Sequence, residues 1–196
     1  MPKGMDNSTL ILDAARRLFL EHGYAATSMD VVAQLAGVSK ATVYARFESK
    51  DQLFAAMIER EGHQQLVALE VDPNIPIEAV LHTFGKDAAA LLLSPSNVAM
   101  SRIVASEATR SPEIGQLFYA NGPAKLIARL AEFLGAAMQQ GQLRSAPPEL
   151  AATQFLAVIV ADLQLRVTMG IEPPTTRKRN VIVAAGVEVF LRGYAP

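Results

Sequence analysis

The 196-residue chain contains no cysteine and no tryptophan. Without cysteine there is no disulfide framework, no thiolate metal site and no cysteine nucleophile. Charge of one sign is also missing: 18 Lys and Arg stand against 19 Asp and Glu, for a net charge of −1. Long hydrophobic runs are absent too. The longest, over 155–161, is seven residues, far short of the roughly 20 that a membrane-spanning helix needs. The first ten residues lack the apolar core of a signal peptide. No Gly-rich phosphate loop, nucleophile elbow or set of metal ligands is visible. These absences set the expectations: a soluble cytoplasmic protein with no membrane partner, no metal and no cofactor, and not an enzyme. What is present is apolar bulk, 51% of the chain, enough to bury a core without covalent staples.

The apolar residues recur at helical spacing, and the breaks fall at Gly, Pro and capping residues. Asn7, Ser8 or Thr9 can cap a first helix that carries Ile11, Ala14, Ala15, Leu18 and Phe19 on one side and stops near His22, with Gly23 in the left-handed position that ends helices. Thr27 with Asp30 is expected to form a capping box for a helix over 28–36, closed by Gly37. Ser39 caps a third helix over 40–46, and Ser49 with Gln52 opens a fourth, reaching about residue 69. A breaker cluster of Asp72, Pro73, Asn74 and Pro76 follows. Further helices are expected over 77–92, from Pro95, over 113–120, 123–140 and 150–169, and from about Thr175 to Arg192. No segment alternates as a strand. The fold class is all-α, with nine or ten helices.

The informative stretch is 32–47. Ala33, Gly37 and Val43 fall at relative positions 0, 4 and 10. A helix-turn-helix needs that spacing. A small residue sits where two helices cross, a glycine supplies the positive φ of the tight turn, and an apolar residue on the second helix points back into the core. Val38 and Phe47 share that inward side. Lys40, Ala41, Tyr44 and Ala45 are left facing solvent, with Thr42 and Arg46 flanking.

From Ala14 to Met57 the chain resembles the DNA-binding domain of the TetR/AcrR family of transcriptional regulators. Leu18-Phe19, Gly23-Tyr24, Ala36-Gly37-Val38-Ser39-Lys40, Tyr44, Phe47, Ser49-Lys50 and Leu53-Phe54 carry the resemblance. It implies an N-terminal three-helix helix-turn-helix domain, 1–55, on a helical ligand-binding and dimerisation body, 56–196. The run 102–123 is similar to the C-terminal bodies described as AefR-like. The resemblance further implies a homodimer on a near-palindromic double-stranded DNA operator, acting as a repressor released by a small-molecule effector. An activator of the same fold, or a helical carrier that binds no DNA, are the alternatives.

Carried over by position, Thr27 and Ser28 meet phosphate at the start of the second helix, and Ser39 and Lys40 at the start of the third. Ala41 and Thr42 face base edges, Tyr44 offers its hydroxyl to a phosphate, and Lys50 meets one from the first turn of the fourth helix. Ala41 replaces a frequent glycine, and Ala45 a frequent larger residue. Direct readout then leans on thymine methyl contacts, Thr42 and Arg46. Residues 1–60 carry seven basic and seven acidic side chains. Lys40, Arg46 and Lys50 are therefore expected to cluster at the groove, with Asp13, Glu21 and Glu59 elsewhere.

The body is less explicit. Phe84, Met100, Ile103, Val104, Phe118 and Phe133 are the expected lining of a cavity for an apolar or aromatic effector, though core packing accounts for them as well. Glu107 is expected to pair with Arg102 or Arg110. His63, four residues after Glu59, reads as a solvated helical contact. His82 can line a pocket or lie exposed, and Arg177, Lys178 and Arg179 read as a solvated helix end. The helix over 150–169 is apolar almost all round, and the last helix is rich in valine. Phe155, Val158, Ile159, Val183, Val187 and Phe190 are the expected dimer interface, because such helices need burial on more than one side.

Overall fold

The structure is a computed structural model that describes residues 6–65, 69 and 75–196; the side chains of 62–65 and 161 fall outside that description, as do the expected Glu59–His63 contact and the breaker residues 72–74. Ten helices make up the described residues, with no strand among them: α1 Asn7–Ala26, α2 Met29–Ala36, α3 Lys40–Tyr44, α4 Lys50–Gln65, α5 Ile77–Leu92, α6 Pro95–Glu107, α7 Pro112–Asn121, α8 Pro123–Gln139, α9 Pro148–Thr168 and α10 Thr176–Gly193. Among these residues no single helix is long and apolar enough to cross a membrane.

Two N-terminal details differ from the sequence reading. Asp6, not Asn7, Ser8 or Thr9, occupies the N-cap of α1, and no side chain bonds there. At α2 it is Ser28 that caps, its hydroxyl accepting from the Val31 N–H. Thr27 is buried, and its hydroxyl donates instead to the Gly23 carbonyl at 2.8 Å. Gly23 interrupts α1 near its end with φ 80° and ψ 176°, a left-handed φ that glycine alone adopts without strain.

The chain divides into two compact units, Met1–His63 with Ala99–Gly122, and Gln64–Val98 with Pro123–Pro196. The first therefore runs past residue 55 and takes in most of α6 and all of α7. Its core joins Ile11, Ala15 and Phe19 of α1, Val32 and Ala33 of α2, Val43 of α3, and Leu53, Phe54 and Met57 of α4 to Met100, Val104 and Ile114. Phe19, Tyr24 and Phe54 form an aromatic cluster with ring centroids 5.2 to 5.6 Å apart.

The second unit packs α5, α8, α9 and α10 around Leu81, Phe84, Leu130, Leu134, Phe155, Ile159, Val183, Val187 and Phe190. A run of aromatic contacts links Phe84 to Phe155, Phe155 to Phe190, and Phe190 to Tyr194. The Tyr194 hydroxyl donates to Gln154 at 2.6 Å, so the buried phenol is satisfied.

Helices α9 and α10 meet at a glycine. A Cβ on Gly186 would stand 2.9 Å from both the Val158 carbonyl oxygen and the Ile159 Cγ2. The Val158 oxygen is backbone and cannot swing away. Alanine would favour the helix by up to about 1 kcal/mol, but overpacking costs about 1–3 kcal/mol. Gly186→Ala is therefore expected to lower stability by about 1–2 kcal/mol net, read as a lower urea midpoint at unchanged slope. Gly193→Ala, in the same helix with no atom within 4 Å of its Cβ position, is expected to leave the midpoint unchanged or raise it.

Candidate nucleic-acid interface

Gly37 builds the turn between α2 and α3. Its φ is 69°, and its N–H reaches the carbonyls of Ala33 and Gln34. The Val38 N–H bonds the Ala33 carbonyl at 3.1 Å. Ala33 and Val43 are both buried in the core that the two helices share, which is the reason for the 0, 4, 10 spacing. Ser39 then caps α3: its hydroxyl accepts from the Thr42 N–H at 3.0 Å and lies 2.8 Å from the Thr42 hydroxyl. A helix of five residues has little else to hold its first turn.

With Val43 inward, the rest of α3 faces out. Ser39, Lys40, Ala41, Tyr44, Ala45 and Arg46 are exposed, and Thr42 is half-buried. Tyr44 stands 48% exposed, too large an aromatic surface to be core. Ser28 is exposed at the start of α2, whereas Thr27 is 4% exposed. Of that pair, only Ser28 presents a side chain to solvent. Ser28, Ser39 and Lys50 mark the starts of three helices, where unpaired N–H groups and the helix dipole favour anions.

The cations are less free than the sequence suggested. Lys40 pairs with Asp30 at 2.5 Å, and Arg46 with Asp6 at 3.1 Å and the Ser8 hydroxyl at 2.7 Å. The even charge count is thus realised inside the interface itself, because Asp30 and Asp6 sit directly on two of its three cations. Lys50 is held differently. Its ammonium donates to the carbonyls of Tyr24 at 2.9 Å and Ala25 at 3.4 Å and lies 4.3 Å from the centre of the Tyr24 ring.

Tyr24 anchors this corner. Its hydroxyl donates to Asp51. Burial pushes the phenol well above its ordinary pKa, and the bond to Asp51 and the negative charges of Asp51, Glu113 and Glu107 act in the same direction. The phenol therefore stays a donor at working pH. On the opposite side of the same backbone, Glu107 at the end of α6 accepts from the N–H groups of Tyr24 at 2.7 Å and Ala25 at 3.2 Å. These two backbone donors lie 83 and 82 residues away from Glu107 in sequence.

The residues expected around an effector do not gather in one unit. Phe84 and Phe133 belong to the core of the second, and Met100, Val104 and Phe118 pack in the first, where Ile103 lies near Gly23. A groove of about 900 Å³ runs between α5 and α10, lined by His82, Thr83, Lys86, Arg177, Asn180 and Val181 among others. His82 Nε2 stands 3.6 Å from Glu78 there. The residues expected at a dimer interface differ in their exposure within the protomer. Phe155, Ile159, Val183, Val187 and Phe190 are core residues of the protomer, while Val158 is exposed. The apolar surface left outside is Leu150, Val158, Leu165 and Met169 on and just beyond α9, with Val181 and Val189 on α10. Among the described residues no three His, Cys, Asp or Glu side chains gather as metal ligands would.

Two family profiles match the chain: bacterial regulatory proteins of the tetR family over residues 11–57, and the C-terminal domain of AefR-like transcriptional repressors over 79–196. The chain is 32% identical over 173 residues to the HTH-type transcriptional repressor Rv3405c of Mycobacterium tuberculosis, covering 85% of this chain and 88% of that protein. An uncharacterized HTH-type transcriptional regulator of Bacillus subtilis, YhgD, is 36% identical over 80 residues, 40% of this chain and 42% of that one. Among solved structures, the flavonoid-responsive regulator FrrA superposes with a TM-score of 0.78 at 36% identity over 97% of both chains. A TetR transcriptional regulator from Agrobacterium tumefaciens gives 0.78 at 28% identity over 97% of this chain and 95% of that one.

The Ser39 cap is the part of this geometry most simply tested. Ser39→Ala removes the acceptor of the Thr42 N–H and is expected to cost about 1 kcal/mol in urea unfolding. Ser39→Asp, which keeps an acceptor, is expected to retain most of that stability.

Proposed function

The chain belongs to the TetR family of DNA-binding transcriptional regulators, and from that membership we propose that it is a repressor. It occupies a near-palindromic operator as a homodimer and leaves it when a small apolar or aromatic effector binds the helical body. The observation that carries the reading is the exposed face of α3. Lys40, Ala41, Tyr44 and Ala45 project from a glycine turn that buries Ala33 and Val43. Ser28 and Lys50 stand at the neighbouring helix starts, where phosphates are expected. Repression is supported by the name and the extensive match of the mycobacterial repressor. An aromatic effector is supported by the flavonoid response in the name of FrrA, and by an interior built on Phe84, Phe133 and Phe155.

Docking on DNA is an exchange of partners. Phosphate replaces Asp30 at Lys40, so the free protein holds this cation in an ion pair until a phosphate arrives. Two alanines at the tip leave room for thymine methyl groups, while Thr42 and Tyr44 provide the polar contacts. One short helix reads too few bases alone. A dimer places two of them about one helical turn, roughly 34 Å, apart.

The surface available for that dimer is the exposed apolar stripe of α9 and α10. Val158 and Leu165 are both exposed on α9. Val181 and Val189, 64% and 61% exposed, lie eight residues apart on α10, a spacing that keeps them on one face. Stacked across a two-fold axis, two such helix pairs make an isologous four-helix contact. The effector acts by binding one dimer arrangement better than the other, since equal affinity for both would shift nothing.

A gel shift with the DNA upstream of the protein's own gene tests the reading. Wild-type protein is expected to retard that fragment in the presence of excess coding DNA. Equal retardation of both would overturn it. Asp30→Asn, which removes the carboxylate that phosphate must displace from Lys40, is expected to tighten binding to any duplex at a nearly unchanged log-log salt slope, because Lys40 meets the same phosphate in both proteins. Val189→Glu is expected to sediment as a monomer near 21 kDa and to lose the operator. A dimeric Val189→Glu variant with wild-type affinity removes α10 from the interface.

A further inference from the structure

The segment Gly23–Ala25 is held from both sides by groups distant in sequence. Gly23, with φ 80° and ψ 176°, breaks the helical ladder and turns the next two N–H groups outward. Both end on one carboxylate. Glu107 Oε1 accepts from Tyr24 at 2.7 Å, and Oε2 accepts from Ala25 at 3.2 Å. Consecutive backbone N–H groups converging on an anion make a strong, charge-assisted grip. The carboxylate comes so near only because residue 23 has no side chain: a Cβ there would stand 2.3 Å from Glu107 Oε1.

The same three residues hold the reader's helix starts. The Gly23 carbonyl accepts the Thr27 hydroxyl, and the Tyr24 carbonyl accepts the Thr27 N–H at 3.3 Å, one residue before the Ser28 cap of α2. The carbonyls of Tyr24 and Ala25 hold the ammonium of Lys50, the first residue of α4. The Tyr24 hydroxyl reaches Asp51 in the first turn of α4. Ser28 and Lys50 are two of the three helix starts at which phosphate is expected.

We propose that Glu107 is the positioning residue of the DNA reader. From the end of α6 it fixes the Gly23–Ala25 turn, and through that turn the relative placement of Ser28 and Lys50 on the operator backbone. It touches no DNA. Its loss leaves two N–H groups without an acceptor, frees the turn, and makes DNA binding bear the cost of ordering it. This rests on the repressor reading for its readout, because the quantity measured is operator affinity.

The test compares four proteins on one labelled duplex: the segment upstream of the gene that wild-type protein protects from nuclease. If wild-type protein protects none, it is the DNA-binding reading that fails, before the variants are compared. Glu107→Gln is isosteric, but it sets an NH₂ group against one of the two N–H donors. It is expected to lose about tenfold or more in operator affinity while remaining a folded dimer with an unchanged salt slope. The amides of Tyr24 and Ala25 are expected to move upfield and exchange faster with solvent, which a general loss of stability would not confine to two residues. Glu107→Asp keeps the charge on a shorter arm and is expected to fall between the two; it decides the matter if Glu107→Gln does not fold. Glu113→Gln removes one negative charge from the same surroundings of Tyr24, leaves both grip bonds, and is expected to bind within about twofold of wild type. The proposal is overturned if folded Glu107→Gln, or Glu107→Asp in its place, binds as wild type does. It is equally overturned if Glu113→Gln loses as much as the Glu107 variant.

Discussion

The first unit depends on how its chain leaves α1. Gly23 takes a left-handed φ, and the backbone of Gly23–Ala25 then runs between a carboxylate on its N–H side and an ammonium on its C=O side. A turn with its polar groups unpartnered would cost too much to stay partly buried. Here every one of those bonds also ties another element down: α6 through Glu107, α4 through Lys50 and Asp51, and the entry to α2 through Thr27. The aromatic cluster of Phe19, Tyr24 and Phe54 packs beneath. The reader is thus shaped by α6 as much as by its own three helices, which agrees with the grouping of Ala99–Gly122 in the same compact unit.

Electrostatics follow a similar logic. A DNA-binding surface with no net charge needs its cations free at the moment of contact, and at rest they are not. Asp30 neutralises Lys40, and Asp6 neutralises Arg46. Exposed pairs of this kind contribute little to stability, on the order of 0–1 kcal/mol, so a phosphate displaces the carboxylate with little loss. On the proposed reading the pairs weaken binding to indiscriminate polyanions and leave more of the selection to the shape and contacts of α3. The placement of Arg46 also changes its role. Bound to Ser8 and Asp6, it fastens the start of α1 to the end of α3.

Local patterns were legible in the sequence, and pairings across distance were not. Gly37, Ser39 and Val43 act through neighbours within ten residues, so their spacing revealed the turn, the cap and the inward face. The ten helices were legible for the same reason, since Pro, Gly and hydroxyl residues punctuate nearly every break. Ser28 displaced Thr27 as the cap because Gly23 bends the chain so that the Thr27 hydroxyl meets its carbonyl, a tertiary consequence of one φ angle. Glu107 looked like half of an ordinary helical ion pair, and nothing local points to backbone donors 83 residues earlier. For the expected interface residues, the protomer's own core takes priority. A helix apolar all round does need burial on several sides, but α5, α8 and α10 take Phe155 and Ile159 of α9 into the protomer's own core. What remains outside is the smaller stripe of Val158 and Leu165, with Val181 and Val189 beside it on α10. Gly186, through which α10 approaches α9, was the one local sign that these helices pack on each other first.

DNA meets this chain, on this reading, at three helix starts, two of them tied to one glycine-broken turn. That claim is tested most directly by titrating ¹⁵N-labelled protein with the protected upstream duplex and following the backbone amides. The large shifts are expected to concentrate at Ser28, at Ser39 to Arg46 and at Lys50, with smaller ones at Tyr24 and Ala25, whose carbonyls hold Lys50. Shifts confined to α5 and α10, around Lys86 and Arg177, or spread evenly over the basic side chains, would contradict it.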